Sequence, residues 1–256
     1  MRYAGIFLLA LLACSQHRSA DSEAVSNVTG YEVKELPALA VDGPEEGAAG
    51  HLPGELEQRL IAAGLANVQE VIPDVWVDLK YSSTDNFFGM DVYGELQTAY
   101  LQPEVAGMLK VAHELLQQRD PTLTFLVYDA VRPRSVQWIL WDSLDKPDSI
   151  KPLYVADPRR GSLHNYGVAV DLTLASKGSG VPLDMGTHYD FFGYPAYPDR
   201  EDQMLREGKI TQTHIQNRQL LREVMNGAGF KGIGSEWWHF DAFSRKVAAE
   251  KFDIVE

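Results

Sequence analysis

The 256-residue sequence contains a single cysteine, Cys14. One cysteine excludes an intramolecular disulfide framework and a zinc site built from several thiolates. Basic residues are also scarce: 23 Lys and Arg stand against 36 Asp and Glu, which gives a net charge of −13. Because binding to phosphates needs clustered Lys and Arg, and no such cluster is present, we do not expect the chain to bind nucleic acid.

Long apolar runs are absent as well. The apolar stretch over residues 3–13 is shorter than the roughly 20 residues that a membrane-spanning helix needs. It follows Arg2 and ends in Leu11-Leu12-Ala13-Cys14, which resembles the lipobox of bacterial lipoproteins. The resemblance implies that 1–13 is a signal peptide and that Cys14 is acylated, so the mature protein is exported and anchored to a membrane. An ordinary signal peptide, with Cys14 incidental, is the alternative.

Residues 14–54 are acidic and are interrupted by glycine and proline. Such a segment offers too little apolar surface to offset the entropy lost on ordering. We therefore predict a flexible tether over 14–54 that carries one folded domain over 55–256. The domain has enough residues to bury a core of its own.

Hydrophobic periodicity in the folded part predicts both helices and strands. Helices are predicted over 55–63, from Pro103 onward, over 135–144 and over 215–226. Strands are predicted over 75–81, 123–128, 167–174 and 236–240. Because helices and strands intermix without strict alternation, the prediction is an α+β fold with a mainly antiparallel sheet and helices packed on it.

Three clusters carry residues suited to chemistry: 129–133, 162–171 and 236–239. A hydrolytic zinc ion needs three nitrogen or oxygen ligands and one open position for water. His164, Asp171 and His239 would supply two imidazoles and a carboxylate, which predicts a zinc site on the sheet. Glu236 is then placed to be the general base for the water.

This arrangement makes two demands on the backbone. A turn through Gly167 must fold His164 back over Asp171, which lies beside the small Ala169 on its strand face. Glu236 and His239 are three residues apart and would point to opposite faces of a regular strand. A bulge or twist between them is therefore required.

The segment Ser162-x-His164-x-x-Gly167-x-Ala169-x-Asp171, followed by Glu236-x-Trp238-His239, resembles the signature of zinc peptidases that act on D-alanine-containing cell-wall peptides. The D-alanyl-D-alanine dipeptidases among them match best. Further segments resemble that family in the same order, over 77–81, 85–87, 129–133, 182–191 and 216–230. The resemblance runs from about residue 70 to about residue 242.

The resemblance implies one zinc ion per chain, with the ligands His164, Asp171 and His239. It implies two catalytic groups, which are Glu236 and the transition-state-stabilising Arg132. It implies three groups that hold the dipeptide, which are Tyr81, Ser162 and Asp190, with Tyr81 and Asp190 near its amino group. Two positions depart from the family pattern: Val131 replaces a frequent aromatic, and Tyr189 replaces the usual Phe. We expect Trp237 and Trp238 to pack and so to fix the metal strand.

The expected activity is hydrolysis of D-Ala-D-Ala to two D-alanines by zinc-activated water with a Glu base. A D,D-carboxypeptidase or other muropeptide peptidase on the same scaffold is the alternative, and it would need an open groove. A wall-binding lipoprotein without catalysis should have lost Glu236 or Arg132, and both are present. The structural alternative for Arg132 is a salt bridge with Asp129. The oligomeric state and the choice between resistance and wall turnover are left open.

Overall fold

The structure is a computed structural model, and it describes residues 53–256. The predicted signal peptide, Cys14 and the tether up to residue 52 lie outside the described residues. No helix within 53–256 has both the length and the apolar character needed to cross a membrane.

Seven strands are found in the described chain: β1 (Ala66–Asn67), β2 (Trp76–Val77), β3 (Tyr100–Leu101), β4 (Leu123–Asp129), β5 (Ala169–Ser176), β6 (Lys231–Ile233) and β7 (Glu236–Asp241). The main sheet has the strand order β2-β4-β5-β7-β6, and β1 pairs with β3 in a separate small sheet. Only β2 and β4 run parallel, and the other neighbours are antiparallel. This confirms the predicted α+β fold with a mainly antiparallel sheet.

Seven α-helices accompany the strands: α1 (Glu55–Ala62), α2 (Val68–Val71), α3 (Pro103–Arg119), α4 (Arg134–Ser143), α5 (Glu201–Arg206), α6 (Gln212–Gly227) and α7 (Arg245–Lys251). The predicted helices are confirmed to within a few residues. α6 begins three residues before and ends one residue after the predicted helix over 215–226, so it includes Gly227. A Cβ at Gly227 would lie 2.8 Å from Leu115 Cδ1, so glycine there lets α6 approach α3 closely.

The central strands β4 and β5 are buried on both faces, because the sheet is covered on each side. The alternation of side chains between the two faces of these strands therefore does not separate buried residues from exposed ones. In β5 it divides large apolar side chains such as Val170 and Leu172 from a face that carries Asp171 and Thr173, both of which are also buried.

The predicted strand over 75–81 is wrong beyond its first residues. β2 ends at Val77, and Lys80–Ser82 forms a 3₁₀ turn. The turn is held by Lys80, whose Nζ lies 2.7 Å from Asp78 Oδ2 and 2.9 Å from Asp85 Oδ2. The Tyr81 carbonyl also accepts hydrogen bonds from two backbone N–H groups of the following loop. These local contacts replace pairing along the sheet.

Candidate metal centre

The sheet register brings three acidic and imidazole side chains onto one line across neighbouring strands. Asp129 on β4 pairs with Asp171 on β5, and Asp171 pairs with His239 on β7. His164 comes from a 3₁₀ turn over Leu163–Tyr166, which ends at Gly167 with φ +68°. That left-handed conformation favours glycine. It sends the chain into β5, so the predicted turn that brings His164 back over Asp171 is confirmed.

Three ligand atoms converge at this point. His164 Nε2 lies 3.2 Å from His239 Nδ1 and 3.4 Å from Asp171 Oδ1. His239 Nδ1 lies 2.9 Å from Asp171 Oδ1. A tetrahedral zinc ion with bonds of about 2.0–2.1 Å holds its ligand atoms about 3.3 Å apart. The donor set therefore fits zinc in both chemical type and spacing.

The outer nitrogens of both imidazoles have acceptors of their own. His164 Nδ1 lies 2.7 Å from the Ala130 carbonyl oxygen, and His239 Nε2 lies 2.8 Å from Asp241 Oδ1. A ring proton on each outer nitrogen leaves the inner nitrogen with a free lone pair, which is the form that binds a metal. These acceptors hold both imidazoles in the orientation that a metal ligand needs.

Asp171 and His239 shift each other's pKa values in opposite directions. Burial by itself would raise the pKa of Asp171, but His164 and His239 hold that pKa below its usual range. Burial would lower the pKa of His239, yet hydrogen bonds from its ring to Asp171 and Asp241 raise it well above its usual value. The carboxylates therefore create a negative environment at the point where the three ligand atoms meet, which suits a cation.

Glu236 reaches the same point through an irregularity in the sheet. Between β6 and β7 the register shifts, because Gly232 pairs with Phe240 while the next residue, Ile233, pairs with Glu236. This is the predicted bulge, and it places Glu236 Oε2 4.0 Å from His239 Nδ1. Burial raises the pKa of Glu236, and the opposing charge of His239 offsets this only in part. A carboxylate with a raised pKa accepts a proton more readily.

Arg132 is buried beside His164. It forms a salt bridge with Asp129, which was the structural alternative to a catalytic role. Its Nε donates to Asp129 Oδ2 at 2.9 Å, and its Cζ lies 4.9 Å from the centre of the Tyr81 ring. Burial raises the pKa values of Glu236 and Asp190, and the guanidinium charge offsets that rise only in part. Arg132 is therefore a fixed cation at the edge of the metal centre.

Of the three residues expected to hold a substrate, Tyr81 and Asp190 contact each other. Tyr81 donates from its hydroxyl to Asp190 Oδ2 at 3.0 Å. Asp190 has φ +56°, and no other non-glycine residue within 53–256 has a positive φ. Burial and the charges of Asp171 and Glu236 raise the pKa of Asp190 well above its usual value. Strain and a raised pKa together are typical of a functional carboxylate.

Ser162 has a structural contact in the same region. Its Oγ accepts a hydrogen bond from the His164 backbone N–H at 3.3 Å and caps the turn that carries that histidine. Trp237 and Trp238 pack as predicted and are both buried. Trp237 Nε1 donates to Thr187 Oγ1 at 2.8 Å, which ties β7 to the loop that precedes Asp190.

Sequence reasoning missed three residues that support the centre. Asp241 orients His239, and it could have been found as the residue two positions along the same strand face. Tyr93 donates to Asp129 Oδ1 at 2.7 Å, and no local pattern signals this contact. Tyr189 donates to Asp171 Oδ2 at 2.9 Å. Its one signal in the sequence was the departure from Phe.

Comparisons with known proteins agree with this geometry. A family model described as D-Ala-D-Ala dipeptidase matches residues 61–255. A D-alanyl-D-alanine dipeptidase from Escherichia coli (strain K12) is 32% identical over 191 residues, which cover 73% of this chain and 91% of the relative. A D-alanyl-D-alanine dipeptidase from Enterococcus faecium is 29% identical over 197 residues, which cover 69% and 90%.

A solved vancomycin-resistance D,D-dipeptidase in complex with a D-Ala-D-Ala phosphinate analogue is 18% identical, covers 62% of each chain and has a TM-score of 0.36. A structural likeness this weak carries no argument about the site. The family model, in contrast, matches most of the chain, and it spans every metal-centre residue described above. The chain therefore belongs to the D-Ala-D-Ala dipeptidase family of zinc metallopeptidases.

Proposed function

We propose that this chain hydrolyses the dipeptide D-Ala-D-Ala to two D-alanines, with one zinc ion held by His164, Asp171 and His239. The observation that carries the proposal is the triangle of ligand atoms, with edges of 2.9–3.4 Å, beside the carboxylate of Glu236. Family membership supports the choice of substrate.

Zinc bound by these ligands would supply Lewis acidity, which polarises a carbonyl and lowers the pKa of water. Glu236 Oε2 accepts the proton of the attacking water and then donates it to the leaving amine. Asp129 and Gln137 engage three N–H groups of Arg132. Two of the five guanidinium N–H groups are left for the negative charge that develops on the carbonyl oxygen.

Asp190 and Tyr81 give this site a place for the free ammonium group of a dipeptide. The negative charges that raise the pKa of Asp190 also favour a cation next to it. A substrate with a blocked amine lacks that cation and leaves the carboxylate unpaired. This selectivity favours a dipeptidase over a carboxypeptidase. The Ser162 hydroxyl, next to the His164 turn, is proposed to contact the same dipeptide.

The cellular location of the protein is proposed from its N-terminal sequence. The apolar run over residues 3–13 and the lipobox-like ending at Cys14 support export followed by lipid anchoring at Cys14. The acidic tether would then hold the catalytic domain away from the membrane surface, on the extracytoplasmic side.

The substrate test compares D-Ala-D-Ala, N-acetyl-D-Ala-D-Ala and a wall pentapeptide ending in D-Ala-D-Ala, with D-Ala release as the measurement. We expect the zinc-loaded protein to cleave the free dipeptide and to cleave the other two far more slowly. Asp190→Ala should reduce the difference between free and blocked substrates, because it weakens binding of the free dipeptide. Comparable kcat/KM for free and blocked substrates in the wild type would favour the carboxypeptidase alternative.

The metal test uses elemental analysis of purified variants. His164→Ala should lose most zinc together with activity, because a three-ligand site has no spare donor. His113→Ala is the matched control, since His113 is a buried histidine on α3 that contacts Thr124 at 3.0 Å. The control should retain zinc, and full zinc occupancy in His164→Ala would refute the ligand assignment.

A further inference from the structure

Tyr189 contacts the back of the carboxylate in the metal centre. The two oxygens of Asp171 face in different directions: Oδ1 lies 2.9 Å from His239 Nδ1, and Oδ2 accepts the Tyr189 hydroxyl at 2.9 Å. Oδ1 is therefore the oxygen on the side of the two imidazole nitrogens, and Oδ2 is occupied by the phenol.

The position of the Tyr189 ring does not depend on that hydrogen bond. The ring is buried and packs against Tyr128, Trp238 and Tyr81, with centroid distances of 5.2, 5.4 and 6.4 Å. Aromatic contacts of this kind fix a ring at several edges. The hydroxyl is thus presented to Asp171 from a rigid support, and removing the hydroxyl alone should leave the packing in place.

We propose that Tyr189 is a positioning residue that restricts Asp171 to one-oxygen coordination of the metal. A carboxylate with both oxygens free can bind an ion through either one or both. When Oδ2 accepts the phenol, only Oδ1 remains for the ion, which preserves an open position for water beside His164 and His239. The inference deepens the proposed function and rests on its ligand assignment.

Tyr189 also connects the metal ligand to the proposed ammonium site, because Asp190 is the next residue. Asp190 is held in a left-handed conformation, and its Oδ2 is fixed by Tyr81. Tyr189 therefore contacts the proposed metal ligand Asp171, while the next residue, Asp190, forms part of the proposed ammonium site. Because aromatic packing holds the Tyr189 ring, loss of the hydroxyl should leave Asp190 in place and act on Asp171 alone.

The test is Tyr189→Phe, which keeps the ring and removes one hydroxyl. Hydrogen-bond partners of metal ligands typically contribute 10–100-fold to metal affinity. We expect zinc Kd, measured by competition with a chelator, to rise roughly 10- to 100-fold. At saturating zinc, kcat for D-Ala-D-Ala should fall by a larger factor than KM rises, because the freed Oδ2 of Asp171 can then compete with water for the open position on the metal.

Tyr128→Phe is the matched control. It removes a hydroxyl from a ring that packs against Tyr189, whereas the phenols that donate to Asp171, Asp190 and Asp129 belong to Tyr189, Tyr81 and Tyr93. Its zinc Kd should equal that of the wild type. An unchanged zinc Kd in Tyr189→Phe, with the wild type binding one zinc, would overturn the inference and leave the proposed function standing.

A crystal structure of the zinc-loaded wild type supplies a measurement that needs no variant. Oδ1 of Asp171 alone should bind the ion, with Tyr189 still on Oδ2. Coordination through both oxygens would overturn the inference without affecting the dipeptidase proposal. A wild-type chain that binds no zinc at His164, Asp171 and His239 would overturn both.

Discussion

At the scale of single residues, the proposed function gives the two carboxylates Glu236 and Asp190 different roles. Burial raises the pKa of both, and the charge of Asp171 adds to the effect on each. Glu236 Oε2 lies 4.0 Å from His239 Nδ1, where the proposed function needs a proton acceptor. Asp190 lies against Tyr81, where a carboxylate can receive a cation. Position relative to the ligands, more than residue type, separates the two roles.

Glu236→Gln tests the first role. The amide keeps the size of the side chain but cannot accept the proton of the attacking water. We expect kcat for D-Ala-D-Ala to fall by roughly 10²–10⁴-fold, the usual contribution of acid–base catalysis, while zinc remains bound. Elemental analysis of the same sample is the control, and near-normal turnover with full zinc would mean that another group is the base.

Asp190→Asn tests the electrostatic cost of the second role. The native pKa of Asp190 is raised, so the unfolded chain loses this proton at lower pH than the folded protein. Stability therefore falls as pH rises from the unfolded pKa, about 3.9, through the native pKa. Asn removes this penalty and can still accept from Tyr81. We expect the metal-free variant to melt above the wild type at about pH 8, with the difference closing toward about pH 4.

Glu207→Gln is a control for the pH experiment, because Glu207 is an exposed carboxylate at the end of α5. Its melting temperature should follow that of the wild type across the range. Should Asp190→Asn melt below the wild type at every pH, the buried carboxylate would be stabilising, and the argument from its raised pKa would be wrong.

At the scale of elements, α6 holds the loop that carries Tyr189 and Asp190. Arg218 on α6 is fully buried and donates to the carbonyl oxygens of Met185 at 2.7 Å and Pro195 at 2.9 Å. Burial lowers the pKa of Arg218 to about 10, with Glu201 acting in the opposite direction. One side chain thus fastens the loop on both sides of the proposed ammonium site.

Gly186→Ala tests whether this support matters for binding. Gly186 has φ +82°, and a Cβ there would lie 2.5 Å from His214 Nδ1 on α6. A left-handed conformation costs an L-residue about 1–2 kcal/mol before any clash is counted. We expect a lower melting temperature and a raised KM for D-Ala-D-Ala, because the loop must move away from α6.

Gly107→Ala is the matched control for that substitution. Gly107 is exposed within α3, and no atom lies within 4 Å of a Cβ built there. Alanine in a helix interior is favoured over glycine by about 1 kcal/mol, so this variant should be more stable, with an unchanged KM. Equal KM values for Gly186→Ala and the wild type would show that the loop adapts without affecting the site.

At the scale of the whole molecule, the sequence joins the folded domain to an N-terminal segment of different composition. The apolar residues 3–13 and the acidic residues 14–54 precede a domain whose helices and strands begin near residue 55. If Cys14 carries lipid, activity should be confined to dipeptides on the extracytoplasmic side, where cytoplasmic precursor pools cannot reach it.

Cys14→Ser tests the anchor. A serine has no thiol to carry a lipid, so we expect the protein to move from the membrane fraction to the soluble fraction after export. Ser15→Ala keeps the cysteine and should stay with the membrane. Wild-type protein that is soluble and carries no lipid by mass spectrometry would rule out the anchor and favour an ordinary signal peptide.

The elements that were predicted well have local causes. α3 begins at Pro103, which suits the first turn of a helix, and its apolar stripe is long enough to define its length. The strand over 75–81 was overestimated, because alternation predicts an extended chain but not the point at which Lys80 turns away from the sheet. Hydrophobic periodicity does not register a turn that is fixed by contacts between charged side chains.

The residues of the metal centre were identified from the sequence alone, because His164, Asp171, Glu236 and His239 lie in compact motifs with tight spacing demands. Whether they act as ligands and base stays a prediction for the metal and kinetic tests. Only the tertiary structure decided which other side chains form hydrogen bonds to the metal centre. Asp241, Tyr93 and Tyr189 reach the centre through strand register and loop packing, and two of them contact partners 18 or more residues away. A side chain's hydrogen-bond partner depends on distances in space, and the sequence determines these only after the whole sheet has formed.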